Sequence, residues 1–398
     1  MPFSHYPAAQ SNRDCAAAGE CGISSLVEML ASVTDPRKPR GRQHGIGFVL
    51  AVTVVAVLAG ARTYSEIARR AADISQETLR ELGAAWDWHG NRYRRPSKTV
   101  IRNVLTGIDG DEMDRITGRW LYENSGKDGG SEWEIAVDGK VMRGAWTAEN
   151  DKVTLFSAMR HRDGVTIAQV GVPDGTDETT QAAALLKSVG SLGIPAGDDV
   201  LVTFDAAHTS RETAREVKKR PRFDYLMNVK GNRPWLLESV FAKMAPETRK
   251  PPADIMRERS RGQVRQWSCW ITDAGGIDFP GASQAALILR EIFEVSGQRV
   301  SKEIALMVTS RPPEKMTAAD MNRNTRNHWG IENKNHYIRD TVYREDHNQT
   351  WTGNGPHVLA ITRNLAISLM RRKGVKAIKE TTEWIAADRA RALQYMTT

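Results

Sequence analysis

The stretch DDVLVTFDAAHT, residues 198–209, is an apolar run that ends in a polar tip. A run rich in β-branched and aromatic residues is typical of a buried strand, and Asp205 falls where this strand stops. A second stretch, WEIAVDGKVMRG at residues 133–144, alternates and holds Asp138 in an apolar context. An ionised carboxylate is costly to bury unless it is paired or bound to a metal. The two aspartates are therefore the first candidates for a functional site.

The segments around these two strands predict a mixed α/β core. Residues 152–172 indicate two strands around a turn, and residues 177–193 indicate an amphipathic helix. After Asp205, residues 210–220 read as a helix and residues 223–232 as another strand. The resulting order is β-β-β-α-β-α-β, which is typical of an α/β fold.

The flanking sequence divides the chain into further parts. Residues 1–125 carry several short helical patterns and predict an α-helical N-terminal domain, which a polar, glycine-rich linker separates from the core. We expect the core to comprise residues 132–232 and 312–398. The strand-like residues 233–311 predict a β-rich insertion between these two halves.

The positive charge of the chain is concentrated near its N-terminus. The formal net charge is +8, and the segment Pro36–Val104 alone contains thirteen Lys or Arg and five Asp or Glu. Such an excess fits a polyphosphate partner, although a solvated basic surface would show it too. Ser97 could cap a helix that carries Lys98 and Arg102, and these two cations are candidate DNA contacts within a helix-turn-helix-like module.

Several protein classes are disfavoured by simple features. The three cysteines, Cys15, Cys21 and Cys269, provide no disulfide framework and suit a reducing cytoplasm. No charged segment followed by an apolar one marks a signal peptide. The apolar run Ile46–Ala61 is shorter than the roughly 20 residues that span a bilayer, so we expect a buried helix and no membrane partner.

A third acid, Glu332, lies in a late helical pattern. If that segment is a regular helix, His328, Glu332, His336 and Arg339 share one face. Two carboxylates that lie close together repel and need a cation, and oxygen ligands favour Mg²⁺ or Mn²⁺. The sequence therefore predicts an acidic metal site, with zinc ligation by the histidines a much weaker alternative.

Four motifs occur in a characteristic order: DGK at 138–140, DAAHT at 205–209, KGN at 230–232 and HWGIEN at 328–333. In this combination the chain resembles the ISAs-type insertion-sequence transposases of the DDE group, which include the H-repeat-associated proteins. Residues 35–71 also resemble the associated N-terminal domain of that family. The resemblance extends over nearly the whole chain.

The resemblance implies a ribonuclease-H-like core and a DNA transposase. Asp138, Asp205 and Glu332 fall on the catalytic acids of the family and would hold two Mg²⁺ or Mn²⁺ ions. The implied reaction is cleavage at the terminal inverted repeats of a transposon, followed by transfer of the 3′-hydroxyl to target DNA. The resemblance also implies a homodimer on DNA.

Further candidate DNA contacts come from cations beside these motifs. Lys140, Lys230 and Arg339 are candidates for contacts with phosphate, although each could be an ordinary surface cation. Arg339 stands where the wider DDE group has a lysine, so a cation is kept. His328 stands where that group has an arginine, and we include it among the DNA contacts.

Two alternatives remain open from the sequence. The first is a DNA-binding protein without catalysis, because Arg261 and Arg265 replace the His and Glu of a motif that the family has in the insertion. The second is a nuclease that only hydrolyses DNA. Metal binding separates the first alternative from a transposase, and a strand-transfer assay separates the second.

Overall fold

The structure is a computed structural model that describes residues 24–40, 42–125, 132–146, 152–172, 178–195, 197–260, 262–349 and 351–397. Cys15, Cys21, Arg261 and most of the glycine-rich linker lie outside the described residues. Cys269 is a buried free cysteine.

Helices and one small hairpin make up the described part of the first 125 residues. The helices are α1 (Ser24–Ala31), α2 (Ile46–Leu58), α3 (Tyr64–Ala72), α4 (Gln76–Glu81), α5 (Lys98–Gly107) and α6 (Gly110–Glu123), and the hairpin joins β1 (Trp86–Asp87) to β2 (Arg92–Tyr93). Every residue of α2 is buried, which confirms the prediction for the apolar run. The hydroxyl of Ser97 accepts a hydrogen bond from the amide of Val100 and caps α5 as expected. Among the described helices, none combines the length and apolarity needed to cross a membrane.

A nine-stranded mixed sheet forms the centre of the molecule, in the order β5-β4-β3-β6-β7-β11-β10-β9-β8. Its strands are β3 (Glu132–Trp146), β4 (Lys152–Arg160), β5 (Thr166–Val172), β6 (Asp199–Phe204), β7 (Phe223–Val229), β8 (Asp254–Ser260), β9 (Gln263–Asp273), β10 (Gln284–Glu294) and β11 (Arg299–Thr309). Strands β3, β6 and β7 run parallel, and the other pairs are antiparallel. Helices α7 (Glu178–Gly190) and α8 (Arg211–Lys218) connect strands of the core, which confirms the predicted order β-β-β-α-β-α-β.

The segment predicted as a β-rich insertion supplies β8 to β11, and these strands extend the central sheet beside β7. It also contains a helix that the sequence pattern did not indicate, α9 (Pro234–Met244). Proline at the first position of this helix is compatible with it, because the first turn needs no proline N–H. The insertion is thus continuous with the sheet that carries the site.

The remaining helices cover the sheet and contact the N-terminal helices. They are α10 (Ala318–His328), α11 (Tyr337–Thr341), α12 (Gly355–Arg372), α13 (Ile378–Ala387) and α14 (Leu393–Met396). Helix α12 packs against α2, α5 and α6 as well as against β5, and one apolar core joins all of them. Helix α10 covers the other face of the sheet, where Met321 belongs to a second apolar cluster with Leu201 and Leu226.

Candidate active site

The two aspartates singled out from the sequence lie side by side, because β3 and β6 are neighbouring parallel strands. Val137 of β3 is paired with Phe204 of β6, so Asp138 and Asp205 are the next residues along the two strands. A carboxylate oxygen of each aspartate and a ring nitrogen of His208 all lie within 4.8 Å of one another. Carboxylate oxygens and imidazole nitrogens are common protein ligands for divalent cations.

The loop that follows β6 fixes the position of Asp205. The backbone amide of His208 donates to Asp205 Oδ1 at 3.2 Å, and the Thr209 hydroxyl donates to the Asp205 carbonyl at 3.0 Å. From the KGN motif, the Asn232 side-chain amide donates to the Ala206 carbonyl at 2.7 Å. The DAAHT and KGN motifs are therefore parts of one hydrogen-bonded loop structure.

The surroundings of Asp138 disfavour its negative charge unless a cation is bound beside it. Burial raises the pKa of Asp138 to about 7, and the negative charges of Asp205 and Glu332 add to this effect, against a hydrogen bond from the Gly139 amide. A carboxylate held in this way is poorly compensated by the protein itself. A divalent ion would supply the missing charge, so the residues fit the metal that the resemblance implies.

Lys140 does not supply that charge directly. Its side chain is 8% exposed, and its ammonium lies 2.8 Å from the Asp340 carboxylate and 3.6 Å from that of Asp346. The structure therefore gives Lys140 two internal partners in the position where the sequence suggested a phosphate contact. These ion pairs join β3 to the segment that follows Glu332.

Arg339 is likewise an internal residue. It is fully buried, and its guanidinium lies 2.6 Å from the carboxylate of Glu345. Arg363 donates to the other oxygen of the same carboxylate at 2.7 Å. The phosphate contact expected for Arg339 is not accessible in this arrangement. Glu345 is thus bound by the two arginines.

Glu332 begins a π-helical turn, Glu332–His336, rather than continuing a regular α-helix. The extra residue in this turn alters the face that the sequence pattern assumed, and His336 comes to lie with Nδ1 3.4 Å from Asp138 Oδ2. Burial lowers the pKa of His336 to about 3, so its ring is neutral. Glu332 is exposed and its charge acts on Asp138, but among the described residues it is not part of the tight ligand cluster.

Buried polar contacts hold this π-helical turn. The Asn335 side-chain amide donates to Thr166 Oγ1 at 2.9 Å and to Asn364 Oδ1 at 3.0 Å. Asn335 itself is buried, and its partners belong to β5 and α12. The turn that carries Glu332 is therefore fixed to both the sheet and the helix behind it.

A cleft is lined by the ends of β6 and β7, by β9 to β11 and by α10, and it includes Phe204, the residue before Asp205. His328 lies on its wall with Nδ1 2.9 Å from Thr203 Oγ1, and burial lowers the pKa of this histidine to about 4. Lys230 is exposed at the same cleft. Arg290 stacks over the ring of Trp329, with its guanidinium carbon 4.6 Å from the ring centroid.

The two cations predicted on the N-terminal helices lie on the surface. Lys98 and Arg102 are exposed on α5, and Arg102 donates to the Thr352 hydroxyl at 3.3 Å. This hydrogen bond links α5 to the segment that precedes α12. Neither Lys98 nor Arg102 belongs to the carboxylate cluster.

His208 is the one member of the cluster that sequence reasoning did not select. Its position three residues after Asp205 was visible in the DAAHT motif, but a polar loop residue gives no sign of where its ring lies. The pairing of β3 with β6 brings Asp138 to that ring, and this proximity is a property of the fold rather than of the local sequence.

Most of the chain is similar to known proteins. Residues 129–369 match the family described as the transposase DDE domain, and residues 27–121 match the family described as DDE_Tnp_1-associated. YncI of Escherichia coli O157:H7, named as a candidate transposase, is 25% identical over 88% of each chain. YhhI of Escherichia coli K12, named as a candidate H repeat-associated transposase, is 24% identical over 87% of this chain and 90% of its own.

Among solved structures, the piggyBac transposase in a synaptic complex with hairpin DNA overlaps 94% of this chain and 78% of its own, with 11% identity and a TM-score of 0.38. That score is too low to establish a shared fold.

Proposed function

The chain belongs to the transposase DDE domain family, and we propose that it cuts DNA at the ends of a mobile element and joins the freed 3′-hydroxyl to target DNA. The proposal includes a ribonuclease-H-like core, the terminal inverted repeats as substrate, and a homodimer that acts on paired ends in the cytoplasm. The relatives named as transposases support it.

The observation that carries the proposal is the convergence of Asp138, in the middle of β3, and Asp205, directly after the end of the parallel neighbouring strand β6. Within the described parts of the chain, no Lys or Arg forms an ion pair with either aspartate. Such a pair of carboxylates is unsuited to a purely structural role, because each charge disfavours the other. Divalent ions held by Asp138, Asp205 and Glu332 would activate the attacking oxygen and stabilise the leaving 3′ oxygen of an in-line displacement.

The chain's own residues orient the acids and the DNA. The hydrogen bond from the loop would hold Asp205 in a fixed position. The buried hydrogen bonds of Asn335 would hold the turn that carries Glu332. Lys230 at the cleft, with Lys98 on α5, would neutralise phosphates along the bound strand. Because His336 is neutral, it adds no positive charge beside Asp138, and the metal would supply that charge instead.

The test is cleavage of DNA that carries the terminal repeats of the element, with Mg²⁺ or Mn²⁺ as the added metal. The native chain should cut at the repeat ends, and Asp205→Ala should not. Asp278→Ala provides a control, because Asp278 is an exposed surface acid that is paired with Arg211 and is not a member of the cluster. Full activity of Asp205→Ala would refute the assignment.

A strand-transfer assay with pre-cleaved ends tests the second half of the reaction. A transposase should join the 3′-hydroxyl to a target plasmid, whereas a purely hydrolytic nuclease would give no joined product. A chain that binds the repeats but shows no carboxylate-dependent Mn²⁺ binding would be the inert DNA-binding protein instead.

A further inference from the structure

His208 has a defined and sheltered place beside the two aspartates. Its side chain is 7% exposed, and its ring packs against Phe156 with 4.5 Å between the centroids. Gly139 follows Asp138, and a Cβ atom built on that glycine would lie 4.0 Å from His208 Nε2. Because Gly139 has no side chain, nothing from that residue stands between the ring and the carboxylates.

We infer that His208 gives a ring nitrogen to the same ion that Asp138 and Asp205 hold, so that the site is a mixed nitrogen and oxygen site with a preference for Mn²⁺ over Mg²⁺. The inference rests on the proposed metal-dependent function and specifies its ion. His208 would then be a ligand in addition to the three acids that the family resemblance implies.

The distances permit a single ion among these three groups. Ligands that bind one ion at about 2.1 Å can be at most about 4.2 Å apart, when they lie on opposite sides of it. Among three ligands at most one pair can be opposite, and neighbouring ligands of a six-coordinate ion are about 3 Å apart. The donor atoms of Asp138, Asp205 and His208 all lie within 4.8 Å of one another. Side-chain rotations that bring some of these atoms closer by up to about 2 Å would close the site. His208 is also tied to Asp205 through its backbone amide, and the two ligands would move together.

The donor set decides the preferred ion. Mg²⁺ favours oxygen ligands and retains several waters, whereas imidazole is a good ligand for first-row transition metals. Exchanging one oxygen ligand or water for His208 would therefore favour Mn²⁺ and the later metals of the series over Mg²⁺. Removing the imidazole should weaken Mn²⁺ binding more than Mg²⁺ binding.

His336 is the competing nitrogen donor and provides a matched control. Its Nδ1 is 3.4 Å from Asp138 Oδ2, but among the described residues it does not join the cluster of mutually close donor atoms. Both histidines are substantially buried, and both lie beside β3. A loss of nitrogen coordination on replacing His208, but not His336, would identify the ligand.

The experiment is electron spin echo spectroscopy of the full-length chain loaded with Mn²⁺ alone, in the absence of DNA. We expect ¹⁴N modulation from the native protein and from His336→Ala, and none from His208→Ala. Titration should show that His208→Ala weakens Mn²⁺ binding at least about 10-fold, the loss that even an outer-sphere substitution can cause. Competition with Mg²⁺ should show a smaller change for that ion.

Circular dichroism and thermal unfolding show whether each variant is folded, and His208→Gln serves as a second variant of similar polarity that lacks the imidazole. Native protein that binds Mn²⁺ through Asp205 but shows no ¹⁴N modulation would overturn the role of His208 and leave the proposed function intact. Mn²⁺ binding that is unchanged in Asp205→Ala would instead overturn the proposed metal site, and the inference with it.

Discussion

Replacing Asp138 by asparagine should stabilise the metal-free protein at neutral and alkaline pH. Burial raises the pKa of this carboxyl from 3.8 to about 7 in the folded chain. The unfolded chain therefore loses its proton first, and folding stability falls as the pH rises between these two values. Each pKa unit corresponds to about 1.4 kcal/mol, so the full cost of the charge above the upper value is about 4 kcal/mol.

An asparagine side chain would remove most of this cost without changing the shape of the site. Its carbonyl oxygen can still accept the hydrogen bond that the Gly139 amide donates to Asp138 at 2.8 Å. Its amide can donate to the neighbouring Asp205 or to His336. We expect a gain of about 2–4 kcal/mol at about pH 8 and little difference at about pH 3, where Asp138 is mostly protonated in both states.

Urea unfolding in the presence of a chelator measures this difference in the free energy of unfolding. A repeat with saturating Mn²⁺ tests whether Asp138 binds the metal. Metal that binds only the folded state at about 100 times its Kd stabilises by about 2.7 kcal/mol, and Asp138→Asn should lose most of that gain. Asp163→Asn is the control, because it breaks an ion pair with Arg160 and should be no more stable than the native chain. A less stable Asp138→Asn at about pH 8 without metal would refute the reasoning, since internal contacts would then hold the carboxylate.

Three further substitutions test other parts of the structure. Glu345→Gln should lower the free energy of unfolding by about 3–5 kcal/mol, because it leaves Arg339 and Arg363 buried without their anion, and an unchanged urea midpoint would contradict the buried triad. Asn335→Ala should lower the free energy of unfolding by about 1–3 kcal/mol, because it removes two buried hydrogen bonds. It should also slow cleavage at saturating DNA while the Kd for DNA stays the same. Weaker DNA binding with an unchanged cleavage rate would contradict the role of Asn335 in holding the turn that carries Glu332. Lys230→Ala should reduce the slope of log Kd against log salt by about one, and a fluorescence-anisotropy titration that shows no change in slope would exclude a phosphate contact.

The pair of aspartates could be found from the sequence because the signal is local. Asp138 and Asp205 each interrupt an apolar strand pattern, and burial of an unpaired carboxylate is costly enough to need a reason. Strand β5 has the direction of β3, because β4 is antiparallel to both. Helix α7 then returns the chain across the sheet, so that β6 also runs parallel to β3, as a crossover connection allows. The order of the core elements along the chain was accordingly predictable, whereas the place of each strand in the sheet, and the continuation of the sheet through β8 to β11, depended on pairing between distant segments.

The cations could not be assigned from the sequence because their partners are set by the fold. Lys140 and Arg339 look like phosphate ligands beside catalytic motifs, yet each meets an acid from the segment around Glu345 and Asp346. Arg344 adopts a left-handed conformation with φ of 48°, and this turn directs the acids that follow it back toward β3 and α11. A pattern of charges along the chain contains no information about such a turn.

Glu332 shows the same limit at the site itself. A regular helix would align it with His328, His336 and Arg339, but the π-helical turn inserts a residue and separates their directions. π-Helical turns occur frequently at functional sites, and Asn335 holds this one against Thr166 through a buried hydrogen bond. The π-helical turn has poorer hydrogen-bond geometry than a regular helix. In return, it leaves Glu332 exposed while His336 lies beside Asp138. The irregular turn thereby serves the proposed metal site, and it is the feature that a periodic sequence pattern is least able to reveal.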